Sequence, residues 1–396
     1  MLIEIILALL IGMVFGTIAG LLPGIHINLV GAVLVSLSAA LLQFTSPIIL
    51  IIFIVSMAIT QTFVDFIPSI FLGAPDENTA LSVLPGHNLL KKGRGYEAIV
   101  FSAYGCLFAV PIILLITPLF IYFLPKFEKA INFFIPYILI ISTIFLVSRE
   151  KNKLNAFIVF ILAGFLGIAV LNSSIRQPFL PLLTGLFGAS SLILSLKNKV
   201  NIPEQKIKKP KIKKSNIFKP LIASSISSPL CCFLPGFGSG QAAVIGASII
   251  KPSKRAFLTM LGATNMIGIS LSFVVFYAIE KTRTGMAVNI AQLTENLTLT
   301  HLIIIILTII LVSIVSFYLT LYLAKSVAKS INKINYSVLS IITLIFISAI
   351  ALIFSGFLGF FIFIISTAIG IFGILNNVKR INLMGCLVIP VILFYI

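Results

Sequence analysis

Residues 19–32 read AGLLPGIHINLVGA, and residues 231–244 read CCFLPGFGSGQAAV. Each sets Leu-Pro-Gly inside apolar sequence, and Pro23 and Pro235 stand 212 residues apart. Proline lacks a backbone N–H and stops the incoming helix, while glycine allows positive φ. The helix that restarts presents free N–H groups, which attract anions. In hydrocarbon, such exposed backbone is tolerated only where it lines a cavity or is buried in protein. A single Pro-Gly could equally make a tight turn at the membrane surface. Two at matching positions of two halves point to a site where the halves meet.

The surrounding sequence belongs in a bilayer. Of 396 residues, 59% are hydrophobic and only 10% are charged, against about 25% in soluble chains. Long apolar runs, not alternating ones, predict an all-α integral membrane protein, because each lipid-exposed backbone group must bond within its own segment. Runs near spanning length fall at about 2–22, 26–43, 47–64, 96–124, 131–148, 154–171 and 178–196. After a basic stretch they resume at about 220–234, 239–250, 256–279, 300–324, 336–354, 357–375 and 382–395. This predicts 12 to 14 membrane-embedded segments. The start has no basic n-region, so the first run reads as a retained helix.

Residues 197–219, KNKVNIPEQKIKKPKIKKSNIFK, read as a solvated linker. They divide the chain into a first half, 1–196, a linker, 197–218, and a second half, 219–396. The net charge of +18 raises nucleic acid as a partner. In a membrane chain, however, basic surplus marks cytoplasmic loops, and no nucleic acid is expected. Placing 91–94, 149–153, 197–219, 251–255, 325–333 and 379–380 inside gives one alternating path. That path flips the second half against the first, an inverted repeat of the kind secondary transporters use. A second echo supports the repeat: SMAITQTF (56–63) aligns with TMLGATNM (259–266). The four cysteines lie in apolar sequence without metal-ligand spacing and read as packing residues.

Candidate binding residues follow from the breaks. Gly24, Ile25, His26 and Asn28 in one half, with Gly236, Phe237, Gly238 and Ser239 in the other, would present N–H groups and small polar groups to a carboxylate. Gln61 and Asn265 would line the polar wall. Thr60, Thr62, Asp65 and Thr264 would hold a coupling cation, since TQTFVD (60–65) concentrates oxygens and an intramembrane carboxylate is costly unless it functions. His26 could carry a proton or simply cap a helix. Residues 64–95 hold Asp76 and Glu77 among prolines and glycines and read as a re-entrant hairpin or structured loop.

At these residues a family resemblance appears. GLLPGIHINLVGAVLVSL (20–37) resembles the first signature of the large membrane subunit of tripartite tricarboxylate transporters. FLGAPDENTALSVLPGHNLLKKGRGYEA (71–98) resembles its following segment, and FLPGFGSGQAAVIGASIIKPSKR (233–255) its second-half Pro-Gly signature. The family's usual Asp-Gly before the lysines is Pro85-Gly86 here, and of its second-half acidic motif only Asn265 remains. The resemblance implies a secondary uptake system, a small membrane subunit and an extracytoplasmic solute-binding protein.

The expected function is therefore a cell-membrane permease for a small organic anion, coupled to Na⁺ or H⁺, with no cofactor beyond that ion and with homo-oligomers allowed. Transport of another small solute is the nearest alternative. An intramembrane enzyme has little support: there is no His-Glu-x-x-His, and Gly238-Ser239-Gly240 lacks the nucleophile-elbow spacing. No phosphate-binding Gly-x-x-x-x-Gly-Lys is present. A flippase would call for more intramembrane charge than the spans carry.

Overall fold

The computed structural model describes residues 2–22, 30–31, 34–35, 37–72, 77–175, 178–197, 203–207, 210, 213–233, 238–282, 284–294, 296–331 and 336–395. The matched Pro-Gly pairs at 23–24 and 235–236, and with them Gly24, Ile25, His26, Asn28, Gly236 and Phe237, lie outside the described residues, whereas a third Leu-Pro-Gly, at 84–86, lies within a helix. Among the described residues the regular structure is entirely helical. It comprises α1 (Leu2–Leu21), α2 (Pro47–Val64), α3 (Phe66–Phe71), α4 (Val83–Leu90), α5 (Gly95–Ser148), α6 (Lys153–Leu171), α7 (Phe179–Leu183) and α8 (Ser190–Lys197) in the first half. The second half holds α9 (Phe218–Ser227), α10 (Pro229–Phe233), α11 (Ser239–Ile250), α12 (Lys254–Ile279), α13 (Gly285–Leu293), α14 (Leu299–Ser330), α15 (Tyr336–Leu375) and α16 (Gly385–Tyr395). Seven helices among the described residues are long and apolar enough to cross a bilayer in one piece. The chain is an all-α, multi-pass membrane protein.

Helix starts follow local chemistry. Asn152, Ser253, Thr284 and Thr298 each cap a helix by accepting the backbone N–H three residues on. Pro47 occupies the first turn of α2, where its missing N–H costs nothing.

Two spans are enclosed far more than the rest. In the most apolar window of the α2–α3 span 83% of residues are buried, and in that of α12 89%, against 22% in α1. α1 runs beside α2 on a ribbon of small residues. A Cβ on Gly16 would lie 2.3 Å from Met57 O, and one on Gly12 2.6 Å from Phe53 O. Such close approach allows Ser56 Oγ to donate to Leu9 O at 2.7 Å. The register, 12 with 53 and 16 with 57, makes α1 and α2 parallel.

α5 and α12 also run parallel, with Arg255 paired to Glu97 at one end and Lys281 to Glu128 at the other. α2 and α3 run antiparallel to both. Thr62 O lies 3.7 Å from Cys106 Sγ, and Phe71 touches the position of Gly95. The two innermost helices, one from each half, therefore cross the molecule in opposite directions.

Two long elements turn back on themselves. A straight 54-residue helix would reach about 80 Å. Yet Glu97 near its start pairs with Arg255, and Arg149 just past its end bonds Ser248, only seven residues from Arg255. α5 thus reverses beyond Glu128, in a stretch flanked by Pro125 and holding Pro136. α15 reverses at Gly356, whose φ of 68° and ψ of −170° are open to glycine. Its two limbs flank one segment, with Ile347 beside Gly188 and Phe363 and Ser366 beside Gly185.

α9, α10 and α11 fold back as a hairpin. Its ends meet where Ser253 Oγ bonds Asn216 Oδ1 at 3.2 Å, and α11 packs back on α9 with Gly246 against Ala223 and Ser227.

The apolar cores divide the molecule into two bodies. One core joins α1–α3, the first limb of α5, α9 and α12–α14. Smaller cores join α6, α7, α8, α15 and α16. Between them lies a seam in which Ile135 and Leu139 of the second limb of α5 meet Ala242 of α11, Phe160 of α6 and Val388 of α16.

Candidate functional site

The loops richest in lysine and arginine converge on one face. Glu97, with a side chain only 9% exposed, receives Arg94 Nε and Arg255 Nε, each at 2.6 Å. Arg149 Nη1 donates to Ser248 Oγ at 2.6 Å, and Lys379 Nζ lies 3.6 Å from the buried Glu150. Asn155 Nδ2 donates to Asn376 Oδ1 at 3.0 Å. Part of the central basic stretch, read from sequence as solvated, docks on this face. Gln205 is 6% exposed. Its Oε1 accepts Gly95 N–H at 2.8 Å, its Nε2 donates to Leu90 O at 3.1 Å, and Lys206 N–H donates to Gly93 O at 2.8 Å. No hydrophobic pattern announces that contact.

Away from this face, a polar layer crosses the centre. Cys106 Sγ lies 3.3 Å from Gly262 O and 3.7 Å from Thr62 O, so one sulfur marks where α2, α5 and α12 meet. Gln61 and Thr62 from one half, and Thr264 and Asn265 from the other, lie within a helical turn of that junction and are all buried. The aligned stretches 56–63 and 259–266 therefore meet in space. The hydroxyls of Thr62 and Thr264 donate to Ala58 O and Leu261 O, within their own helices. Thr60 faces the other way. Its Oγ1 donates to Ser56 O at 2.9 Å and accepts from Ser316 Oγ of α14 at 3.0 Å, beneath Gly16.

Asp65 is 5% exposed and sits where α2 passes into α3, one turn from Thr62 and within electrostatic reach of Cys106. It is the one charged residue in the α2–α3 span, and α12 carries none beyond its first turn.

The first hairpin limb runs along α12 in constant register. Ser224 Oγ donates to Met260 O and Cys232 Sγ approaches Gly268 O, each pair 36 residues apart. Ser228 is thereby level with Thr264. The buried hydroxyls of Ser228 and of Ser270 have no hydrogen-bond partner. Buried hydroxyls without a partner are the exception in folded proteins and are places where water or a ligand can bond. Neither serine was singled out by the sequence reading, because a lone serine in an apolar run carries no motif.

The start of α11 holds the remaining candidates. Ser239 is 4% and Gln241 2% exposed. Gly238 N–H donates to Gln241 Oε1 at 2.8 Å, which turns Gln241 back over the first turn. Gly240 packs between Leu81, of the 3₁₀ turn Glu77–Ser82, and Ile381. That turn is tied to α3 by a 2.5 Å Ser69–Thr79 hydrogen bond, so residues 77–82 form a structured insertion. Asp76 is outside the described residues. Nearby, His87 has a buried Nε2 without a hydrogen bond. Its pKa is lowered to about 4 by burial, with Lys91 and Arg380 adding to the effect. Ser239 lies with the seam and the 77–82 turn, whereas Gln61, Thr62, Thr264 and Asn265 cluster at Cys106. The described residues thus hold two polar regions, one on either side of the hairpin.

Residues 6–385 match the model of a family described as "Tripartite tricarboxylate transporter TctA family". A relative, an uncharacterized protein of Methanocaldococcus jannaschii, is 31% identical over 406 residues, covering 99% of each chain. No solved structure matches.

Proposed function

The chain belongs to the tripartite tricarboxylate transporter TctA family, and on that premise we propose that it is the permease of a secondary uptake system. Its cargo is a small organic anion, a carboxylate, driven by Na⁺ or H⁺. One observation carries the reading. The two most enclosed spans run antiparallel, come from opposite halves, and bring Gln61, Thr62, Thr264 and Asn265 to one level beside the α9–α11 hairpin. Inverted-repeat carriers bind substrate at such a place. The antiparallel pair supports the inverted repeat and the division at residues 197–218.

In this reading the restarted helix ends, Gly24–Asn28 and Gly236–Ser239, offer N–H groups to carboxylate. Asp65, Thr62 and Thr264 serve the coupling ion, with Asp65 the group able to take either Na⁺ or a proton. The face gathering residues 91–94, 149–153, 203–207, 251–255 and 379–380 is cytoplasmic, since basic loops are retained there. The membrane is the cell membrane. A small membrane subunit and an extracytoplasmic solute-binding protein supply substrate from the other side.

The test is thermal stabilisation of the purified protein against a panel of di- and tricarboxylates, with and without Na⁺, because a ligand that binds the native state raises the midpoint with concentration. A shift with one carboxylate, reduced in Gln61→Ala and Asn265→Ala, supports the reading. No shift with any carboxylate, together with no uptake into proteoliposomes, rejects it.

A further inference from the structure

The seam between the two bodies has features of a joint. One stripe of α11, formed by Gln241, Ala242, Ile245 and Ser248, faces the second limb of α5 and α16. Gln241 shares a cavity with Ser142, and Ser248 bonds Arg149. Both pairs are 99 residues apart, so α11 and this limb lie parallel and in register. The opposite face of α11 belongs to the larger body, through Ala243 and the Gly246–Ser227 contact.

Within the seam lies a cavity of about 10 Å³, lined by Ser142, Thr143, Gln241 and Asn382 together with apolar side chains. That is room for about one water molecule. Its polar lining is anchored at both ends. Gln241 accepts Gly238 N–H beside the second break, and Asn382 Nδ2 donates to Glu150 Oε1 at 2.9 Å, next to Lys379 on the basic face. Hydrogen-bonding groups thus follow one another from the first turn of α11 to the basic face, through a seam otherwise filled by small and apolar side chains.

We infer that this seam is the closed form of the passage between the anion site and the basic face. It opens when the second limb of α5, with the body of α6–α8, α15 and α16 on which it packs, moves against α11, and Ser142, Thr143, Gln241 and Asn382 line the path of the anion. The inference rests on the transporter reading above. Packed bodies shift between discrete arrangements, and a thin, partly polar seam separates at less cost than a continuous apolar core. The glycine at 240, set between Leu81 and Ile381, leaves space at the point where both bodies touch the restarted helix.

The experiment uses the full chain in proteoliposomes, with Cys106, Cys231, Cys232 and Cys386 replaced by alanine. In that background Ser142→Cys and Gln241→Cys are introduced together and separately, and the pair is joined by oxidation or a short bis-thiol reagent. Uptake of the carboxylate identified by the stabilisation panel should fall by about tenfold or more in the cross-linked pair. It should return to the level of the unoxidised pair on reduction of the disulfide, and each single variant should transport equally before and after oxidation. Thr143→Phe, which fills the cavity, should slow uptake while carboxylate-induced stabilisation persists. Undiminished uptake by a fully cross-linked pair, or by Thr143→Phe, overturns the inference. Absence of both stabilisation and uptake in the unaltered protein rejects the transporter reading instead, so the two failures are distinct.

Discussion

Gly105 and Gly262 meet where α5 crosses α12. A Cβ on Gly105 would lie 2.0 Å from Thr259 O, and one on Gly262 would lie 2.1 Å from Ser102 O. Neither helix can take a side chain there without separating from the other. Gly262→Val should therefore destabilise the protein by about 1–3 kcal/mol or more, the range for overpacked cores. Gly188→Ala, whose nearest neighbour would be Ile347 at 3.9 Å, should change stability little. Thermal melting of both variants in detergent checks the contrast. Equal melting points would mean that the close crossing is absent.

His87 gives stability a defined pH dependence. Its folded pKa is about 4, below its ordinary value of 6.5. Above pH 6.5 both folded and unfolded chains hold it neutral, and it contributes nothing. Between 6.5 and about 4 the unfolded chain binds a proton that the folded one refuses, so stability falls as pH falls. The total is about 3 kcal/mol. His87→Gln should flatten the melting-temperature profile across that window and leave it unchanged above pH 7. An unchanged slope in the variant would contradict the burial of this ring.

Glu97 and Glu128 should behave differently. Glu97 is nearly buried and holds two arginines, whereas the Lys281–Glu128 pair is 37% and 35% exposed. Glu97→Gln leaves two guanidinium groups without their carboxylate and should cost about 1–3 kcal/mol. Glu128→Gln should cost less than about 1 kcal/mol, since water screens an exposed pair. Chemical or thermal unfolding of the two variants decides the order.

Gln205 fixes the linker. With Gln205→Ala, Gly95 N–H and Leu90 O lose a buried partner at the α4–α5 turn, a loss of about 1–3 kcal/mol. Trypsin should then cut after Lys206 faster than in the unaltered chain. Identical cleavage rates would show that residues 203–207 are not docked.

The helical, membrane-embedded fold was legible because lipid imposes one rule on the backbone. The apolar runs at 2–22, 47–64, 154–171 and 239–250 recur as α1, α2, α6 and α11 with ends shifted by at most a residue or so. The runs at 336–354 and 357–375 recur as the two limbs of α15 on either side of Gly356. The likeness of 56–63 to 259–266 pointed to two helices that do meet at Cys106. Thr60 shows the limit of such reading. Its neighbours in sequence share its polarity, but a helix turns about a hundred degrees per residue, and its hydroxyl is directed to Ser316 instead.

By itself the sequence determined what a spanning segment must satisfy locally: hydrocarbon length, and backbone hydrogen bonds closed within its own helix. Those constraints act over a few residues and are written in residue type. Only the tertiary structure decided which faces meet. Glu97 with Arg255, Gln205 with Gly95, and Gln241 with Ser142 are joined across at least 99 residues. Their partners were chosen by the shape and register of packed helices, a property that no single stretch of chain carries.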